Sequence, residues 1–213
     1  MLIALDMGCS LVMDSDFGKY EALESGEGGS GGTVGTGGSG GQVTGGTGGD
    51  CKPGLTINEI QTQGSNGADD EFVEFYNAGK CAASLDEYVL AYRSAAATAD
   101  HLTTWTGKKG EVLQPKAFYV IGGVDFKGSA DDTFPSGMAL SQSGGGIALK
   151  WSALMVDKVG WGTATNQFVS GTAAPAPGTE ESIARYPDGE GVNDNGADFS
   201  VATPTPGAKN PER

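Results

Sequence analysis

LTINEIQTQGSNGADDEFVEFYNAG, residues 55–79, holds two short apolar-alternating runs joined by a turn rich in Gly and Asp. Leu55–Gln61 sets Leu55, Ile57 and Glu59 against Thr56, Asn58 and Ile60. Glu71–Tyr76 sets Phe72, Glu74 and Tyr76 against Val73 and Phe75. Side chains alternate between the two faces of a strand, so a period of two predicts two strands. Asn66-Gly67 between them is turn chemistry. The stretch therefore reads as a hairpin with three glutamates set inside strand-like runs.

The same reading extends outward along the body of the chain. Strands are predicted at Tyr88–Ser94, His101–Trp105, Phe118–Gly122, Gly146–Trp151, Met155–Trp161, Ser182–Tyr186 and Asp198–Ala202. Turn residues separate them, among them Asn77-Ala78-Gly79, Gly122-Gly123, Pro187-Asp188-Gly189 and Pro204-Thr205-Pro206-Gly207. No helical repeat of comparable length competes. Nine short strands in one body predict an all-β chain, an immunoglobulin-like antiparallel β-sandwich over residues 51–210.

Four stretches carry a family resemblance in order: LTINEIQTQG at 55–64, DEFVEFYNAG at 70–79, ESIARYPDG at 181–189 and DFSVATPTPGAKN at 198–210. Between them, AFYVIGG at 117–123 and GGGIALKWSALMVDKVGWG at 144–162 agree in strand order and turn position. The body resembles the lamin tail domain, an immunoglobulin-like sandwich known from nuclear lamins and from bacterial secreted proteins. The resemblance implies a binding or scaffolding module and no catalytic residues.

The first 50 residues differ in kind. Residues 26–50 form a Gly/Ser/Thr-rich stretch, with 14 glycines in Gly26–Gly49 and only Val34 and Val43 as aliphatic residues. Such a segment buries too little surface to offset its chain entropy and reads as a flexible linker. A random coil of that length spans roughly 25–30 Å. Residues 1–25 begin MLIALDMGCS, in which Gly8-Cys9 resembles the tail of a bacterial lipoprotein signal peptide, with Cys9 the lipid acceptor. Asp6 departs from that pattern, and no basic segment precedes the apolar residues.

Three cysteines are present. Cys51 precedes the first strand-like run and Cys81 follows the second, so pairing of those runs would bring the two together as a disulfide. A bridge there places the domain outside the reducing cytoplasm. The expected location is the cell envelope, as an outer-membrane lipoprotein, or secretion. The formal net charge of −14 repels polyanions, so nucleic acid is not an expected partner. Contact with a membrane is expected only through a lipid on Cys9. The expected partner is a protein or polysaccharide at the cell surface.

Four sets of residues could carry chemistry or binding. Glu59, Glu71 and Glu74 lie on adjacent predicted strands, and two carboxylates about 5–9 Å apart suit glycoside hydrolysis. The competing reading makes them fold-holding acceptors of loop amides, or partners of Arg185. The second reading is preferred and no enzyme is expected. His101, the lone histidine, has no nucleophile elbow to serve. DGEGVNDNGAD at 188–198 offers Asp188, Glu190, Asn193, Asp194, Asn195 and Asp198 as oxygen ligands, so calcium is the candidate cofactor for a carbohydrate-binding alternative. That run lacks the EF-hand spacing, and as a turn-rich loop it needs no metal. Trp105, Trp151 and Trp161 are either anchors of a binding face or core residues.

Overall fold

The structure, a computed structural model, describes residues 53–101, 105–135 and 137–212. The expected N-terminal segment and linker, with Cys9 and Cys51, lie outside the described residues. Strands β1 (Leu55–Gln61) and β2 (Phe72–Asn77) pair antiparallel, from Leu55 opposite Asn77 to Gln61 opposite Phe72. The hairpin expectation holds, but its phase does not. The register shifts between Ile57 and Glu59, so Asn58 is an extra residue in the ladder, a β-bulge. One inserted residue reverses which side chains face the core. Ile57 and Ile60 are both fully buried in the main core, and Glu59 lies opposite Glu74. Simple alternation had placed Ile57 with Glu59 and against Ile60.

Three short strands escape a periodicity reading: β3 (Ala83–Ser84), β6 (Val112–Leu113) and β8 (Asp132–Thr133). Two residues are too few to show alternation. The remaining strands match expectation within one or two residues at most ends: β4 (Tyr88–Ser94), β7 (Phe118–Gly122), β9 (Gly144–Trp151), β10 (Leu154–Gly162), β11 (Ser182–Arg185) and β12 (Phe199–Ala202). The strand expected at His101–Trp105 is β5, Trp105–Thr106; His101 is outside it, and residues 102–104 are not described. A single helical turn, α1 (Asn195–Asp198), precedes β12.

A six-stranded sheet has the order β12-β11-β1-β2-β7-β8, and a four-stranded sheet has the order β10-β9-β4-β5. Every pairing in them is antiparallel except that of β7 with β8. The main core takes Ile57, Ile60, Val73, Phe75, Ile121 and Ile183 from the larger sheet. Leu90, Tyr92, Trp105, Leu149, Val159 and Trp161 come from the smaller one. Phe75 meets Trp105 edge-on with centroids 5.5 Å apart, and each such buried aromatic or aliphatic side chain stabilises the fold by about 1.5–3 kcal/mol.

The outer face of the larger sheet is covered by the chain after β12. Residues 203–210 cross β1 and β2, and their backbone amides donate to strand carboxylates. Asn210 fastens the end, its Nδ2 donating to the carbonyls of Asn58 at 3.1 Å and Arg185 at 2.9 Å.

Candidate functional site

Glu59, Glu71 and Glu74 are all fully buried, and they do not form one site. Glu59 and Glu74 face each other across β1 and β2 on the outer side of the sheet. Glu71, three residues before Glu74, projects to the opposite, inter-sheet side. Glu59 Oε1 accepts from Ser182 Oγ at 2.5 Å and from Thr205 N at 3.0 Å. Glu74 accepts from Asn58 Nδ2 at 3.0 Å and from Gly207 N at 2.7 Å. Glu71 Oε2 accepts from Leu140 N at 2.6 Å, while its Oε1 has no protein partner. Burial pushes the carboxyls up to about 7 at Glu59 and about 8 at Glu71 and Glu74, against the opposing pull of these donors. The arrangement ties loops to strands. A surface cleft lined by Tyr186, Pro187, Glu190, Val192, Ala197 and Asp198 includes none of the three.

Arg185 does not pair with a strand glutamate. Its guanidinium reaches Asp157 at 2.8 Å and Asp198 at 3.6 Å, and lies 4.6 Å over the Phe199 ring. Asp157 belongs to β10 in the other sheet, beside a second register shift. Asp157 Oδ2 accepts from Ile57 N at 2.8 Å, and Arg185 Nε donates to Ile57 O at 2.9 Å. Both backbone groups of the residue before the β1 bulge are thus taken by one ion pair that spans the sheets. Burial outweighs the Arg185 charge and holds the Asp157 carboxyl above its ordinary value. Sequence reasoning missed Asp157, whose place in MVDKVGWG looked like an ordinary polar position.

The residues considered for calcium, Glu190 apart, are engaged separately. Asp188 Oδ1 accepts from Asn58 Nδ2 at 3.1 Å and Asn210 N at 3.2 Å. Asp194 caps α1, accepting from Gly196 N, Ala197 N and Thr172 Oγ1, and these donors hold its carboxyl below the usual range. Asn195 Oδ1 accepts from Gly160 N and Ser170 N, and Asp198 accepts from Val192 N and forms an ion pair with Arg185. Asn193 Oδ1 accepts from Ser170 Oγ at 3.5 Å, and Glu190 is exposed. Among the described residues, no group of three or more His, Cys, Asp or Glu side chains is placed to hold a metal ion. The oxygens point at protein donors rather than at one another.

The tryptophans divide. Trp105 and Trp161 are core residues. Trp151 is 44 % exposed at the tip of the β9–β10 hairpin, opposite Leu154 at 64 % and beside Met155 at 37 %. Surface Trp, Leu and Met thus gather into an exposed apolar patch at one turn. Cys81 is disulfide-bonded. Cys51 and Cys9, assigned to the bridge and to lipidation, lie outside the described residues.

Two sheets packed face to face define an immunoglobulin-like sandwich, with its buried acidic side chains holding strands and loops. The chain belongs to the family described as Lamin Tail Domain, whose model matches residues 51–163, more than half of its length. The match ends before β11, although β11 and β12 complete the same sheet and carry two of the four stretches that suggested the family. No curated protein matches the chain.

Proposed function

We propose that the chain is a non-enzymatic lamin tail protein of the cell envelope, displaying its sandwich for contact with a protein or polysaccharide. The observation that carries this reading is the contrast between committed carboxylates and the exposed Trp151, Leu154 and Met155. Tryptophan is enriched among the residues that dominate binding energy, and methionine among interface residues generally. A Cys51–Cys81 bridge, lipid on Cys9 and a Gly-rich tether agree with display outside the cytoplasm.

The test uses the full chain and cell-envelope fractions. A photo-crosslinker at Ser152 is expected to capture a protein, or sedimentation with insoluble wall polysaccharide to retain the chain. Either signal is expected to fall at least tenfold in Trp151→Ala/Leu154→Ser with an unchanged melting temperature. Undiminished capture and retention in that variant would remove the hairpin from the account. Fatty-acid labelling lost in Cys9→Ala is the expected result for the anchor, and an unlabelled native chain overturns it.

A further inference from the structure

We propose that residues 203–210 are a proton-latched strap, closed over β1 and β2 while the buried Glu59–Glu74 pair holds a proton and loosened when that proton leaves. The geometry is unusual for carboxylates. Glu59 and Glu74 are direct cross-strand partners, a placement in which like charges destabilise a sheet. Asn58 Nδ2 links Glu74 to Asp188, at 3.0 Å and 3.1 Å.

The strap closes the cluster from above through three amides: Thr205 N to Glu59, Gly207 N to Glu74 and Asn210 N to Asp188. From β11, Ser182 contributes a hydroxyl, and Arg185 contributes only its carbonyl, to Asn210. From the loop after β11, the acidic Asp188 faces the cluster. On β2, Tyr76 is raised by burial and by Asp188 and Glu190. Among the described residues no Lys or Arg forms an ion pair with any of the three acids. Lys209 is exposed on the strap, and the nearest fixed guanidinium, on Arg185, is held by Asp157 and Asp198.

Two carboxyls that have only neutral donors and are shut from water, with the half-buried Asp188 beside them, do not readily carry a charge each. Closing the strap dries them and favours the protonated form; opening it rehydrates them and favours ionisation. The sign follows from linkage: closed-state carboxyls at about 7 and 8, against 4.5 for free carboxyls, keep the strap shut below that range and release it as pH rises through it. Release uncovers the outer face of β1 and β2.

Hydrogen exchange read by mass spectrometry, corrected for intrinsic rates, tests this on the full chain at pH 6 and pH 9. The protection of residues 203–210 is expected to fall at least tenfold at the higher pH, while β4 and β9 keep theirs. Glu74→Gln, which keeps an acceptor and removes the charge, is expected to abolish the fall; Glu59→Gln serves equally if that variant is poorly folded. Protection that is constant with pH, that falls equally in β4 and β9, or that falls equally in both variants overturns the proposal.

Discussion

Replacing Arg185 by Met removes the guanidinium that joins β11 to β10 and to the β1 bulge while keeping an apolar stem over Phe199. Its side chain is only 6 % exposed, and Asp198 is 5 % exposed. Breaking a buried pair by deleting one partner destabilises by about 3–5 kcal/mol, because the remaining charge stays dry and uncompensated. Loss of the bond to Ile57 O lies within that figure, since one side chain makes both contacts. Domains of this size are stable by about 5–15 kcal/mol, so the variant folds with its melting temperature lowered by roughly 10 °C. Urea unfolding is expected to show a lower midpoint with an unchanged slope. The deficit is expected to shrink at low pH, because Asp157, whose carboxyl burial already holds above its ordinary value, can then be buried neutral. A deficit below about 1 kcal/mol at pH 7 would refute the reasoning, since that is the worth of a solvated surface pair.

Two further substitutions probe the rest of the site. Glu71→Gln is expected to leave stability unchanged at pH 4 and to raise it progressively from pH 4.5 to pH 9, read by urea midpoints. The wild-type carboxyl, at about 8, must ionise there with one oxygen unpartnered. Asp194→Ala removes the α1 cap and is expected to lower stability by about 1 kcal/mol. Adding calcium or chelator is expected to leave the melting temperature of both the native chain and this variant unmoved, because the loop oxygens already have protein donors. A calcium-dependent rise would restore the metal reading.

Strands with at least two full alternations were legible because burial on one face imposes a period of two on the sequence. The bulge at Asn58 was not, since a polar residue inserted between Ile57 and Ile60 looks like continued alternation until the partner strand is in place. The glutamates were recognisable as special because a charged residue in an apolar run needs a reason. Their loop-amide donors were the expected kind, but Arg185 was expected among their partners and instead found Asp157. That pairing depends on two sheets packing, which no local pattern encodes. The 188–198 loop shows the converse: its Asp and Asn density suggested a metal, whereas its oxygens serve a helix cap, a buried arginine and backbone amides.

The central claim is that Glu59 and Glu74 hold the fold as buried, proton-carrying acceptors. Urea unfolding of the native chain and of Glu59→Gln/Glu74→Gln, across pH 5.5 to pH 9, tests it most directly. Folded-state values of about 7 and 8 exceed the unfolded 4.5, so the stabilisation is complete below the unfolded value and is lost as pH rises through the folded ones. At about 1.4 kcal/mol per unit, and allowing for coupling between the two, this pair is expected to cost the native chain on the order of 2–4 kcal/mol over that range, beyond the share of Glu71. The double variant is expected to keep only the Glu71 share. A native chain as stable at pH 9 as at pH 5.5, or a double variant with the same slope as the native chain, would contradict the account.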